Sequence, residues 1–312
     1  MRIVFFGTPE YILPVLTSLH KTFKSKSGIS PIVAVVTQSP KPVGRKKVLT
    51  YSPVDKWAHE RKIPVYYHYK KLLEENVSAD LGVLASFGQI IPKEIINLFT
   101  HGILNIHPSL LPKYRGASPA RAVIVSGDKE TGVTIIKLDE EVDHGLMISQ
   151  FTEEVQAKDT TETLRKRLFE RSAKVLVELL PHYLKEQITP KKQEHGKVIF
   201  TTQIKKEHGF IPPKYLTAAL AGKITKERWK ISFIKKYSLF PGPNTLDNFI
   251  RAMQPWPLAW TRVTFAKTTK RLKILKAHLE NGKLILDEIQ LEGKNPVSWK
   301  QFREGYPKVI FE

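Results

Sequence analysis

The first half of the chain alternates short apolar runs with stretches of helical periodicity, and that alternation restricts the fold more than any other feature. Ile3–Phe6, Ile32–Val36 and Leu81–Ala85 are brief and mostly branched. Runs of this kind suit strands buried on both faces of a parallel sheet. Between the first two, Ile12, Val15, Leu16 and Leu19 recur at helical spacing over Tyr11–Leu19, after a break at Pro9. Val54–Lys62, with Val54, Trp57, Ala58 and Arg61, reads as another helix ahead of a strand at Pro64–Tyr67. Strand–helix–strand repeats predict a Rossmann-like α/β domain, its sheet mostly parallel and covered by helices on both faces. Such sheets take their ligands beyond the carboxyl ends of the strands. Gly132–Leu138 and Ile148–Val155 read as further strands, and Thr160–Lys185 as a long amphipathic helix with Thr160 as its N-cap.

After Thr189–Gly196, a polar, Lys-rich stretch read as a linker, the texture changes. Trp260–Phe265, Leu272–His278 and Lys283–Gln290 are short strand patterns, and Asn281-Gly282 between the last two is a hairpin signal. That pattern predicts a small antiparallel β-barrel or sandwich. The boundaries follow as residues 1–188 for the first domain, 189–205 for the linker and 206–312 for the second domain. Lys214–Thr245 holds a possible helix and the breaker cluster Pro241-Gly242-Pro243-Asn244, and it fits neither half cleanly. Trp256, Trp260 and Trp299 lie among apolar strand residues and are read as core rather than as base-stacking platforms.

Charge is distributed unevenly. Residues 1–200 carry 29 basic and 21 acidic side chains, and residues 201–312 carry 21 and 9. Between His208 and Leu279 fourteen Lys or Arg face two acids, Glu227 and Asp247. A like-charged surface suits a polyanion, of which a phosphate backbone is the commonest. The chain has no cysteine, which excludes disulfides, thiolate nucleophiles and Cys-ligated metals. The apolar run after Met1-Arg2 ends at Gly7, too short for a secretory signal, and no stretch approaches the roughly 20 apolar residues of a membrane span. A cytoplasmic protein is expected.

The chemistry concentrates in two segments. Gly102–Gly116 reads GILNIHPSLLPKYRG, and its apolar start delivers Asn105 and His107 to one face of a strand. Pro108 and Pro112 then fix the following loop. An amide and an imidazole side by side can both donate to one oxygen, as the oxyanion of an acyl-transfer intermediate requires. Leu138–Gly145 reads LDEEVDHG and supplies Asp143, a carboxylate able to keep His107 protonated or to take a proton from an attacking amine. Singly, such residues are ordinarily a turn Asn, a satisfied His and a turn Asp. His107 and His144 with nearby acids raise zinc, but no HExxH-type spacing is present, and no metal is expected.

The order and wording of the motifs carry more than the residues do singly. MRIVFFGTPE, SPVDKWAHERKIPV, SFGQIIPKEIINL, NIHPSLLPKYRGASPARAVI and GDKETGVTIIKLDEEVDHG stand in order, followed by RAMQPWPLAWTRV and GKLILDEIQLEGKNPVSWKQFREGYP. With them the chain resembles the folate-dependent formyltransferases, and among these the family that acts on methionyl-tRNA. The resemblance covers most of residues 1–190 and 248–307.

The resemblance implies 10-formyltetrahydrofolate as donor and the α-amine of methionyl-initiator tRNA as acceptor. It gives Asn105 and protonated His107 the oxyanion, and gives Asp143 the His charge and the amine proton. Ser109, Leu110, Leu111 and Pro112 would flank the folate, with Phe87, Gln89 and Ile91 forming part of the pterin pocket. Arg45, Lys46 and Lys47, on the basic stretch Lys41–Thr50 read as a loop, would approach the tRNA acceptor stem. The second domain would be an OB-like, tRNA-binding barrel with an insertion near 212–245. The implied partners are the tRNA and the folate, with no membrane and a monomeric chain. The sequence departs from the family where Pro108 replaces a small Ala, where His144 replaces a Thr, and at KEHGFI (Lys206–Ile211). Two other readings remain open: formyl transfer to a sugar amine or glycinamide ribonucleotide, and a non-catalytic basic nucleic-acid-binding protein.

Overall fold

The computed structural model describes residues 1–43, 47–265 and 268–311. They fall into two compact units: Met1–Arg115 with Thr131–Glu153 and Arg165–Val198, and Gly116–Glu130 with Glu154–Leu164 and Ile199–Glu312. Among the described residues no helix is long and apolar enough to cross a membrane.

The chain begins with β1 (Ile3–Gly7), α1 (Leu13–Phe23) and β2 (Ile32–Val36). The apolar positions that predict the first helix, Ile12, Val15, Leu16 and Leu19, are all buried. Within the basic stretch expected as a loop, β3 (Lys41–Val43) pairs antiparallel with β4 (Val48–Thr50). In α2 (Pro53–His59) the Ser52 hydroxyl accepts from the Asp55 N–H at 3.0 Å and Pro53 occupies the first turn, a standard helix start. Then come β5 (Val65–Tyr66), α3 (Lys71–Glu74), β6 (Leu81–Ala85), α4 (Lys93–Ile96) and β7 (Ile103–His107). Next are the two-residue β8 (Arg115–Gly116), α5 (Pro119–Ser126), β9 (Glu130–Lys137), β10 (Leu146–Glu154) and α6 (Thr161–Leu184). Thr160 caps α6, its hydroxyl accepting from the Thr163 N–H at 3.2 Å.

One seven-stranded sheet runs in the order β10-β9-β7-β6-β1-β2-β5. The pairs β2–β5, β1–β2, β1–β6 and β6–β7 are parallel, and β9 is antiparallel to β7. In chain order the parallel strands read 3-2-1-4-5, the first five places of the Rossmann order 3-2-1-4-5-6. β1 and β6 are buried at every residue, which is why their sequences are continuous rather than alternating. Under one face lie Val4, Phe6, Ala34, Val36, Leu84 and Ile103.

The second unit contains β11 (Phe200–Thr201), α7 (Pro213–Leu220), β12 (Trp229–Lys230), β13 (Ser238–Leu239) and α8 (Pro243–Ala252). They precede β14 (Ala259–Phe265), β15 (Thr268–Glu280), β16 (Lys283–Leu291), β17 (Val297–Ser298), α9 (Trp299–Gly305) and β18 (Ile310–Phe311). The antiparallel half expected from the sequence is a five-stranded sheet ordered β17-β16-β15-β14-β18. Asn281 and Gly282 turn β15 into β16, both at positive φ, as a two-residue hairpin requires. Helix α8 packs on β15 and β16 and buries Leu246, Phe249 and Ile250.

Residues 212–245, unplaceable from sequence, are built into this core. Trp229 lies 5.7 Å from the Tyr215 ring and 4.6 Å from Phe249. The three tryptophans read as core are not buried. Trp256 is 48% exposed, and Trp260 and Trp299 are half-buried. On β14 the inward residues are Ala259, Thr261 and Val263, so strand parity turns Trp260 outward, where Arg271 covers its ring at 4.2 Å.

Candidate active site

Strand β7 delivers Asn105 and His107 two residues apart at its carboxyl end, one pleat of the same face. Asn105 pairs with Leu84 of β6 and Ile136 of β9, and His107 with Thr134 of β9. Both side chains reach one atom, Asp143 Oδ1. The Asn105 Nδ2–H donates to it at 3.0 Å, and His107 Nδ1 lies 3.4 Å away. The spacing-based expectation of two donors on one face therefore meets a specific geometry, with the carboxylate at their point of convergence.

His107 is nearly fully buried, and its other nitrogen, Nε2, is 3.0 Å from the Tyr114 carbonyl. A carbonyl and a carboxylate can only accept, so both ring nitrogens must carry protons to satisfy these partners. That describes an imidazolium. Burial acts on its pKa most strongly and pulls it down, and Arg115 adds to that. The Asp143 charge, the Asp143 contact and the Tyr114 carbonyl outweigh both, leaving the pKa raised above the ordinary 6.5. The 3.4 Å separation exceeds the roughly 2.7–2.9 Å of a tight charge-assisted bond.

Asp143 sits on a tight turn at φ 50°, a conformation Asp tolerates better than most side chains. The turn ends at Gly145, where an added Cβ would stand 1.9 Å from the Lys137 carbonyl oxygen. Only glycine fits that approach. His144, in the same turn, contacts Asp139 Oδ2 through Nδ1 at 2.6 Å.

The loop after β7 is braced along its length. Ser109 is buried and donates to the Lys113 carbonyl at 2.6 Å. The Thr134 hydroxyl donates to the Ser109 carbonyl at 2.7 Å and accepts from the Leu111 N–H at 3.0 Å. Gln150 Nε2 donates to the Leu111 carbonyl at 3.1 Å. Leu111 is buried, and Leu110 and Pro112 are half-buried.

The other expected ligand residues are placed differently. Phe87 and Ile91 are buried in the hydrophobic cluster beside β1 and β6, Phe87 meeting Phe6 edge-on at 5.6 Å, while Gln89 is exposed. Lys47 is exposed at φ 49°, and Arg45 and Lys46 lie outside the described residues.

Four side chains at the site were not singled out from the sequence. Thr134 and Gln150 hold the loop, and Arg115 and Gln193 meet each other beside the Asp143 turn. Arg115 stands inside the motif that carries Asn105 and His107, so proximity in sequence was a usable signal. Gln193 had none, since it lies in the polar stretch read as a linker.

A strand-end amide, a buried imidazole and a carboxylate on an α/β sheet form an arrangement able to stabilise an oxyanion and accept a proton, the chemistry of acyl transfer. Residues 1–180 match the model of the formyl transferase family. The methionyl-tRNA formyltransferase of Listeria monocytogenes is 39% identical over 288 residues, covering 90% of this chain and 80% of the relative. That of Bacillus subtilis is 36% identical over 331 residues, covering 97% and 94%. The chain therefore belongs to the formyl transferases, in the methionyl-tRNA formyltransferase family. Among solved structures, a sugar 3N-formyl transferase superposes with a TM-score of 0.62 at 18% identity, covering 95% of this chain and 99% of that one. The methionyl-tRNA formyltransferase from Clostridium thermocellum gives 0.54 at 18%, covering 93% and 98%. At this identity the likeness is one of fold.

Proposed function

We propose that this protein transfers a formyl group from 10-formyltetrahydrofolate to the α-amine of methionyl-initiator tRNA. The observation that carries the chemistry is the convergence of Asn105 and His107 on Asp143 Oδ1. Family membership supports the donor and the acceptor, and the cationic excess of residues 201–312 suits a polyanionic acceptor.

In this reading the amine nitrogen attacks the formyl carbon, and the carbonyl π pair moves onto oxygen. The second Asn105 N–H and the His107 Nδ1–H then serve as donors to that oxyanion. Removing one such donor typically costs about 10²–10³ in rate. Asp143 keeps His107 charged and takes the proton that the amine sheds. The oxyanion pair then reforms the carbonyl, the C–N bond pair leaves with the folate nitrogen, and that nitrogen takes up the proton Asp143 held. The donor is already activated, so alignment and charge stabilisation suffice. The braced Ser109–Pro112 loop is a rigid wall for the folate. In the same reading the cations Arg45, Lys46 and Lys47 approach the tRNA, and the chain works as a cytoplasmic monomer.

The test is acceptor preference, assayed with charged initiator tRNA, charged elongator tRNA and an amino-sugar nucleotide side by side. Transfer to the initiator tRNA well above the other two is expected. Efficient formylation of the sugar with none of the charged tRNA would overturn the acceptor while leaving the formyl chemistry intact.

A further inference from the structure

Gln193 is buried and comes from a part of the chain distant in sequence from Asn105, His107 and Asp143. Its Nε2 lies 2.9 Å from each of three backbone carbonyl oxygens, those of Asp143, His144 and Gly145. Its Oε1 accepts from Arg115, at 2.7 Å from Nη2 and 3.2 Å from Nε. The amide cannot be reversed, because the carbonyls only accept and the guanidinium only donates. The segment is pinned where this contact needs it. Lys191 and Met147 exchange both backbone hydrogen bonds, each at 2.8 Å. Two residues past Gln193, His195 Nδ1 accepts from Arg115 Nη2 at 3.1 Å, and its ring stacks on His144 at 4.5 Å.

We infer that Gln193 is a positioning residue for the reaction, one amide tying the turn that carries Asp143 to the buried Arg115 guanidinium. This rests on the reading of Asn105, His107 and Asp143 given above. Nothing in the segment Thr189–Gly196 binds a reacting atom in that scheme, so Gln193 acts through Asp143 and not on substrate. The turn needs such a clamp. Asp143 stands at positive φ, and the three successive carbonyls face one point. A donor amide there fixes the turn, and with it the height of Oδ1 above Asn105 and His107.

Arg115 is the clamp's other end. Burial lowers its pKa most, and the carboxylates of Asp143, Asp139 and Glu141 oppose that. The charged and titratable groups facing the turn are thus Arg115, Asp139, Glu141, His107, His144 and His195. Releasing Gln193 frees the turn and Arg115 together, and Asp143 drifts from His107. Burial then prevails on the imidazole, and it titrates at lower pH.

The experiment pairs Gln193→Met, which keeps length and loses both hydrogen-bonding ends, with Gln193→Glu, which keeps the acceptor for Arg115 but turns an oxygen on three carbonyls. If the Met variant aggregates, the Glu variant carries the test. Turnover is expected to fall about 10- to 100-fold in both, the fold staying intact and the folate KM changing less than about threefold. The His107 ring resonance, followed by NMR, is expected to titrate at lower pH than in the wild type. Folded variants with wild-type turnover and an unmoved His107 titration would overturn the inference. Asp143→Asn, assayed in parallel, separates the two levels. Full turnover there defeats the site reading, whereas the His107 titration in the Gln193 variants judges the clamp by itself.

Discussion

Replacing Asp143 with Asn keeps the side chain's shape and an acceptor oxygen for Asn105 but removes the charge that holds His107 protonated. His107 and Asp143 are both largely buried, at 5% and 12% side-chain exposure, so solvent screens their pair little. Without the carboxylate, burial is the largest influence left on the imidazole, and the charged donor is lost at ordinary pH. The proton acceptor for the amine goes with it. General acid–base groups are worth about 10²–10⁴ in rate, so turnover should fall by that factor, equivalent to about 3–5 kcal/mol in the barrier. Single-turnover formylation of charged initiator tRNA, with saturating donor, measures this directly.

Stability supplies a second measurement with a definite sign. The folded His107 pKa is raised above 6.5, so the stabilisation from the pair is fully present below pH 6.5 and fades as pH rises through the folded value. Urea unfolding of wild type and Asp143→Asn should therefore differ most on the acid side and converge on the alkaline side. The cost is capped below the roughly 3–5 kcal/mol of an orphaned buried charge, because His107 can release its proton. Wild-type turnover in the variant, or a stability gap that ignores pH, would refute the assignment of Asp143 as the partner of His107.

Other expected outcomes are more local. Asn105→Ala should lower kcat by about 10²–10³ with little change in either KM, as loss of a donor used only in the transition state does; a pure KM effect would reassign Asn105 to ground-state binding. Alanine at Arg45, Lys46 and Lys47 together should weaken tRNA binding and reduce the slope of log K against log salt by about 0.7–0.9 for each phosphate no longer neutralised. An unchanged slope in filter binding would return those cations to solvent. Trp229→Ala should cost about 3–5 kcal/mol in denaturant unfolding, since it removes a buried ring packed between Tyr215 and Phe249. A change under about 1 kcal/mol would show that residues 212–245 are not part of that core.

The parallel sheet was legible because buried strands and amphipathic helices write their periodicity directly into the chain. β1, β2 and β6 coincide with apolar runs that turn residues bound, and the first helix buries Val15, Leu16 and Leu19, with Ile12 buried just ahead of it. Asn105 and His107 were legible for a related reason, since a strand's two-residue repeat is local. Trp260 was misread because apolar neighbours do not reveal parity. Which face of β14 is inward depends on what packs against it, α7 among the helices, and that is a tertiary fact.

The sequence by itself determined the α/β repeat, the hairpin at Asn281-Gly282, and the strand-end amide and imidazole. Each is encoded within a few residues, where backbone geometry fixes what neighbours what. Only the tertiary structure decided that Asp143 Oδ1 is the meeting point of Asn105 and His107, and that Tyr114 offers its carbonyl to the second imidazole nitrogen. It also decided that an apparently solvated glutamine is buried against the Asp143 turn. A hydrogen bond acts over about 3 Å of space without regard to separation along the chain. Gln193 and Asp143 are neighbours because the chain returns alongside β10 at Lys191, and no periodicity in the sequence records that return.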